Sequence, residues 1–326
     1  MKKRDYISEI QSIKNRGRNN GRFDLTFRLF AIDDLINELT ESPEKNNKEL
    51  TRYIPIALIA CTEAFFRASI AELVDKGEPF SQNLTKFNKL NIKFDFNIFN
   101  AIREKKVSVG ELVSHLIRCN NLEDFNINLS YLIDRDLLTE LKTFQPRQTG
   151  ISSIDFAKNY HKRHNIILES VRKTFNLRHI FCHEFATNVD VEFRIIKKFY
   201  EDCKIFLYHT DDYIWHLIEP DAPLTQTELN ISAKKEFSEL ESQLDKVLEQ
   251  IKNREFHDGD SNVDPENLDA LMNKWKEYRK LKSDLQANNF KDGTISPLIR
   301  YKSLSWTTKK MIAELVEEYD LDSASH

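Results

Sequence analysis

The stretch NLRHIFCHEFA, residues 176–186, holds the side chains best suited to chemistry: Arg178, His179 and His183 fall within six positions. A guanidinium can grip a phosphate through two parallel hydrogen bonds. A histidine ordinarily titrates near neutrality, so it can take a proton from one oxygen and give one to another. His179 and His183 are four apart and share a face if the segment is helical. These residue types suffice to cleave RNA without a metal. A base activates the ribose 2′-OH, which attacks the adjacent phosphate. A cation stabilises the charge that builds on the phosphoryl oxygens, and an acid protonates the departing 5′-oxygen. The products would be a 2′,3′-cyclic phosphate and a 5′-OH, and DNA would survive because it lacks the 2′-OH.

The same triplet also fits a bland arrangement, two surface histidines near a helix start beside a solubilising arginine, and the triplet alone does not choose between them. A metal half-site is a third option, since His-x3-His on one face is a common pair of ligands. The HExxH pattern fails here, because the position four after His183 is Thr187, and Cys182 points off the His179–His183 face. No metal and no cofactor is expected. Cys61, Cys119, Cys182 and Cys203 show no CxxC spacing and are expected as free thiols, mostly small core residues on apolar helix faces.

The elements that must position this triplet are predicted to be helices. The chain has 326 residues, with 7 Gly and 8 Pro, too few for a protein of many tight turns, and its 22 Phe point to a bulky aromatic core. At about 150 residues per domain, this length suggests two domains. Lys and Arg number 48 against 52 Asp and Glu, a net charge of -4, which excludes a basic nucleic-acid scaffold and an acidic disordered tail. The charged start MKKRDYISEI precedes no apolar core, so no secretory signal is expected. The longest apolar stretch, Tyr53 to Cys61, contains a proline and is too short to span a bilayer. These features point to a cytoplasmic protein with no membrane partner.

Apolar spacing predicts a helix within residues 22–41 and a central, strongly apolar helix over Arg52 to Lys76, closed by Gly77. Residues 88–100 alternate apolar and polar and suggest a short strand. Helices are expected near Val109 and Leu129, a loop over Lys142 to Ser152, and helices again from Ser153 and through Phe193 to Leu207. Glu219 to Asn230, with two prolines and no apolar period, reads as the linker between a domain at 1–218 and one at 231–326. Residues 1–220 carry 33 basic and 31 acidic residues, whereas 221–326 carry 15 and 21, so the first domain is the better candidate to meet a polyanion. In the second, Phe237, Leu240, Leu244, Val247, Leu248 and Ile251 line one helical face, REFHDGDSNVDPE is a loop and a further helix follows. From periodicity alone this is a small helical hairpin.

Arg178-x4-His183, with a polar residue directly after the arginine, resembles the RX4-6H signature of the HEPN domain ribonucleases. ALIACTEAFFRASIAELVDKG, Ala57 to Gly77, is similar to the long helix of that family, with Glu63 after an apolar run and Arg67 one turn later. The resemblance covers about residues 20–215 and implies an all-α, HEPN-like bundle in which RxxxxH opens the last helices. It implies that His183 is the catalytic acid or base, that Arg178 binds the scissile phosphate and that His179 orients its neighbours. Glu63 would hold Arg178 in place, or be an ordinary solvated or capping carboxylate. The family implies a homodimer whose two motifs form one cleft on an RNA substrate. It also implies a toxin of a toxin–antitoxin or phage-defence system, with an antitoxin or regulatory protein as partner. The rival expectation is a HEPN-like scaffold without catalysis.

Residues 235–320 resemble the LprI family through Trp275, Tyr278, Arg279, Gly293, Pro297-Leu298-Ile299, Thr308 and Ile312-Ala313-Glu314-Leu315. Secreted members carry two cysteines where this chain has Ser283 and Ser303, and an arginine where it has Met311. The resemblance implies a smaller α-helical domain of cytoplasmic type that senses, docks a protein partner or regulates, rather than one that inhibits lysozyme.

Overall fold

A computed structural model describes residues 4–17, 21–41, 47–87, 96–147, 151–253 and 264–321. The fold is all-α: twelve α-helices, one short 3-10 turn at Gln82–Lys86 and no strand among the described residues. Two compact units divide the chain, 1–220 and 221–326.

The first unit is built around α3 (Lys48–Lys76), packed by α2 (Asp24–Glu41), α5 (Val109–Leu116), α6 (Leu122–Ile133), α8 (Ile151–His183) and α9 (Phe193–Ile218). Asn47 caps the start of α3 by accepting from the amides of Glu49 and Leu50, and Gly77 ends it at φ 96°, a left-handed conformation that glycine adopts without strain. Phe66 is fully buried at the centre, its ring stacked on Phe125 at 4.1 Å and edge-on to Phe65 at 5.1 Å. The length and composition of α3 would allow it to cross a membrane, contrary to the shorter stretch read from the sequence, but most of its apolar window is buried inside this bundle. Gly110 allows α5 to approach α3 closely. A Cβ there would lie 2.2 Å from the carbonyl oxygen of Ala71, and the Gly110 amide donates to Asp75 at 2.8 Å.

Small helices complete this unit: α1 (Tyr6–Lys14) against α5, α4 (Phe96–Arg103) and α7 (Leu137–Thr143). The strand suggested at 88–100 is corrected by α4 for its described part, because Ile98 and Ala101 turn one helical face inward; residues 88–95 lie outside the described residues. The loop expected at 142–152 is shorter, since α7 reaches Thr143 and α8 begins at Ile151. At Arg163 α8 is kinked (φ -129°, ψ 18°), and there the arginine donates to Asp202 of α9 at 2.6 Å. Asp202 is buried and its other oxygen accepts from Ser170 at 2.7 Å, so both oxygens of the buried carboxylate are hydrogen-bonded while Arg163 stays partly exposed.

The second unit consists of α10 (Gln226–Lys252), α11 (Pro265–Asn288) and α12 (Ser296–Glu318), a three-helix unit where a hairpin was expected. The expected linker is also shorter: Gln226 to Asn230 are helical, because Thr225 and Glu228 form a capping box that starts α10 early. The loop expected before α11 falls largely on residues 254–263, outside the described residues, and Pro265 and Glu266 already belong to α11. Leu244, Ile251, Leu268, Met272 and Leu315 form its apolar core.

Candidate functional site

Arg178, His179 and His183 lie in the last two turns of α8, so the motif closes a helix instead of opening the last ones. The physical reason is local. Glu184 and Phe185 leave the helix and Ala186 takes a left-handed φ of 45°, which stops propagation. Two cations of α3 then fasten the connection to α9. Arg52 donates to the carbonyls of Ala186 at 2.9 Å and Val189 at 3.0 Å, and Lys48 pairs with Asp190 at 2.7 Å. Arg52 also meets Glu49 at 2.7 Å and lies over the Phe181 ring at 5.6 Å. Sequence reasoning missed Arg52 and Lys48, since nothing local marks contacts that span more than 130 positions.

Arg178 is one-third exposed and reaches α3, where its Nη2 lies 3.7 Å from Oε1 of Glu63. The two side chains singled out from sequence on different helices therefore do meet. Burial pushes the Glu63 carboxyl above its ordinary value of 4.5, and the charges of Arg178 and Arg67 oppose that shift. Arg67 is turned the other way: it donates to the carbonyl of Ser114, and to that of Ile117 at 3.3 Å, where α5 ends. It fastens α5 to α3 and leaves Arg178 as the cation paired with Glu63.

The rings of His179 and His183 stand 5.1 Å apart at 53°, one turn from each other. His183 and His179 are both exposed. Arg178 and His183 are five residues apart, hence about 140° apart around the helix and about 7.5 Å along it. Arg178 thus looks toward α3, while the two imidazoles look to solvent. Beyond them Phe185 is 99% exposed. Cys182, between the histidines in sequence, is also exposed, whereas Cys61, Cys119 and Cys203 are buried. Among the described residues no three His, Cys, Asp or Glu side chains are grouped so as to hold a metal.

A cleft of about 770 Å³ opens beside the motif, between the start of α3 and the start of α9, lined by Thr51, Arg52, Phe181, Val191, Phe193 and Arg194 among others. Phe181 is two residues before His183 and so points to nearly the opposite side of α8. The cleft and the imidazole pair therefore occupy different faces of the helix.

In the second unit, Arg279 is 6% exposed and sits between the rings of Trp275 (4.6 Å) and Phe237 (5.1 Å). Its Nη1 donates to Thr308 at 2.8 Å and pairs with Glu241. Ser283 and Ser303 are buried on α11 and α12. Residues 220–315, the greater part of this unit, match the family model described as lysozyme inhibitor LprI. The HEPN resemblance of the first unit has no family match behind it. No curated protein and no solved structure matches the chain.

Proposed function

We propose that the first unit is a metal-independent endoribonuclease of HEPN type. The observation that carries this is the pairing of Arg178 with Glu63 at 3.7 Å, beside two imidazoles 5.1 Å apart at an exposed helix end. Glu63 restrains the Arg178 guanidinium through one nitrogen, Nη2, and the one-third exposed side chain stays partly open to an oxyanion. In this scheme Arg178 binds the scissile phosphate and stabilises its extra charge. His183 exchanges the proton with the 2′-OH or the 5′-oxygen, and His179 holds it in orientation. The exposed Phe185 ring offers a face on which a single-stranded base can stack. Because Arg178 and His183 diverge by about 140° on one helix, a second copy of the chain supplies the complementary motif. The chain then acts on RNA in the cytoplasm as a homodimer, as a toxin or phage-defence effector restrained by a regulatory protein, and the LprI-like unit docks or senses that regulator.

The test is incubation of purified wild type, His183→Ala and Arg178→Ala with total RNA in excess chelator, followed by end-group analysis. Wild type should leave 2′,3′-cyclic phosphate and 5′-OH ends, and each substitution should slow cleavage by about 10²–10⁴-fold. Equal cleavage by all three proteins, or loss of wild-type cleavage in chelator, refutes the proposal.

A non-catalytic scaffold is the second reading. It is favoured by the same divergence of Arg178 and His183 and by a family match confined to residues 220–315. Folded protein that binds RNA or a protein partner without cutting would establish it.

A further inference from the structure

The core face of α11 is formed by Leu268, Met272, Arg279, Ser283 and Ala287. A second apolar stripe runs along a different side of the same helix: Leu271 is 59% exposed, Tyr278 55%, Leu281 71% and Leu285 71%. Leu271, Tyr278 and Leu285 are spaced by sevens, and Leu281 lies three after Tyr278 and four before Leu285. That is the seam spacing of a two-stranded coiled coil. The stripe is about 21 Å long and sits about 135° around the helix from the core face. Such a row is more than scattered surface apolarity, because its members share one face in heptad register, interrupted within the stripe by Lys274.

The charges on either side of this seam say what covers it. Glu277 flanks one edge and Lys282 the other. In a parallel pair of identical helices, the residue before the first seam position of each heptad, here Tyr278, faces the residue five further on in the partner. Glu277 of one copy then meets Lys282 of the other, twice by symmetry. In an antiparallel pair Glu277 faces acidic positions instead. Both groups are available. The contact of Glu277 with Lys274 at 3.4 Å is an exposed pair of little strength. Lys282 is held at the seam edge over the rings of Trp306 (4.5 Å) and Tyr278 (5.7 Å). Asp284, by contrast, is engaged within its own chain by Arg300 at 3.0 Å. Lys274 occupies the one polar seam position, which weakens the pair while fixing its register.

We propose that α11 is a self-association helix, and that the Leu271–Tyr278–Leu281–Leu285 stripe pairs in parallel with the same stripe of a second copy. Two heptads make a short interface, so the association is weak and depends on concentration. It is independent of the nuclease proposal, since none of its residues belongs to that site.

The experiment uses the full chain with Cys182→Ser, which removes the exposed thiol. Tyr278→Cys places a thiol at a seam position that meets itself across a parallel two-fold. Lys280→Cys, exposed on the far side of α11, measures collisional background. Under mild oxidation Tyr278→Cys should give about tenfold more disulfide dimer than Lys280→Cys, the ratio that 1.4 kcal/mol corresponds to. Adding Glu277→Lys should reduce the yield, and adding Lys282→Glu to that variant should restore it. Equal yields at 278 and 280, or a charge swap that fails to restore crosslinking, overturns the proposal. Because all these positions are exposed or at the surface edge, circular dichroism should show each variant folded; sedimentation of Leu281→Glu, expected to self-associate more weakly than wild type at the same concentration, reads the same surface without a crosslink.

Discussion

His209 of α9 is fully buried, and its protonation should set the acid limit of the first unit. Its Nε2 donates to the Leu141 carbonyl at 2.9 Å, while its Nδ1 is buried without a partner. Tyr160 stacks on the ring at 4.6 Å, His161 stands edge-on at 5.3 Å and Phe144 is tilted at 5.6 Å. Burial pulls its pKa from 6.5 down to about 4; the Leu141 carbonyl resists, and the neighbouring His161 adds a little in the same direction. A depressed histidine is neutral in the native state and protonates more readily when unfolded. The stability is therefore complete above pH 6.5 and is lost as pH falls through the window down to 4. With those two values the linkage relation gives a loss of about 2 kcal/mol at pH 5 and about 3 kcal/mol at pH 4. His209→Phe keeps the ring stack but removes the titration and leaves the Leu141 carbonyl unpaired. It should be less stable than wild type at pH 7.5 by about 1–3 kcal/mol. By pH 5 that gap should narrow by about 2 kcal/mol, because only wild type pays the protonation cost. Native-state hydrogen exchange of the α8 and α9 amides reads opening of this unit alone. A gap that stays constant between pH 7.5 and 5 within about 0.5 kcal/mol refutes the reasoning.

Gly110→Ala should lower the thermal midpoint of the first unit. Its Cβ would meet a backbone oxygen at 2.2 Å, and separating α5 from α3 costs about 1–3 kcal/mol. An unchanged midpoint in calorimetry would show that α5 yields freely. Glu63→Gln should be slightly more stable than wild type at pH 7, with the gain fading toward pH 4. Burial raises the native carboxyl pKa, so its stabilising share is present in acid and lost as pH rises through that raised value. Urea midpoints at the two pH values check the sign, and a variant destabilised at pH 7 would make the Arg178 pairing the stronger term. Ser283→Cys with Ser303→Cys should form a disulfide under oxidation. Arg279–Thr308 at 2.8 Å and Asp284–Arg300 at 3.0 Å place the two serines at one level of antiparallel helices. Closing a loop of that size adds about 3 kcal/mol, and thiols that stay titratable in oxidant would show the side chains diverge.

Much of the helical frame was legible because its periodicity is strong. Ile54, Leu58, Phe65, Ile70 and Leu73, within the strongly apolar helix read over Arg52 to Lys76, are all nearly inaccessible in α3. The boundaries were less legible where capping or packing decided them. The Thr225–Glu228 capping box overrode the prolines that suggested a linker through Asn230. Phe94, Phe96 and Ile98 alternate like a strand, yet in α4 Phe96 and Phe99 are exposed and the inward face is Ile98 and Ala101. At the site, the separation of Glu63 and Arg178 in sequence gave no distance, and their meeting depends on how α8 crosses α3. The clamp of Arg52 on Ala186 and Val189 left no trace in sequence at all, because backbone carbonyls carry no residue code.

The two units differ in how much their sequence discloses, and the difference is physical. Around Arg279 the resemblance residues do one job together. Trp275 supplies the ring beneath the guanidinium and Thr308 accepts from it, while Glu241, outside the resemblance, balances its charge from a half-buried position. A buried cation tolerates few substitutes, since removing its partners leaves an unpaired charge costing about 3–5 kcal/mol. A pattern with such constraints stays recognisable in a single chain. The serines at 283 and 303 show the complementary case: both are buried at one level of the same helices, and the apolar contacts of Leu244, Met272 and Leu315 hold those helices together without a covalent link. In the first unit the core is filled by interchangeable apolar side chains, which volume and pattern alone specify. The chemistry proposed for it rests on a few residues at the end of α8, so its sequence carries a motif without a frame as distinctive as the one around Arg279.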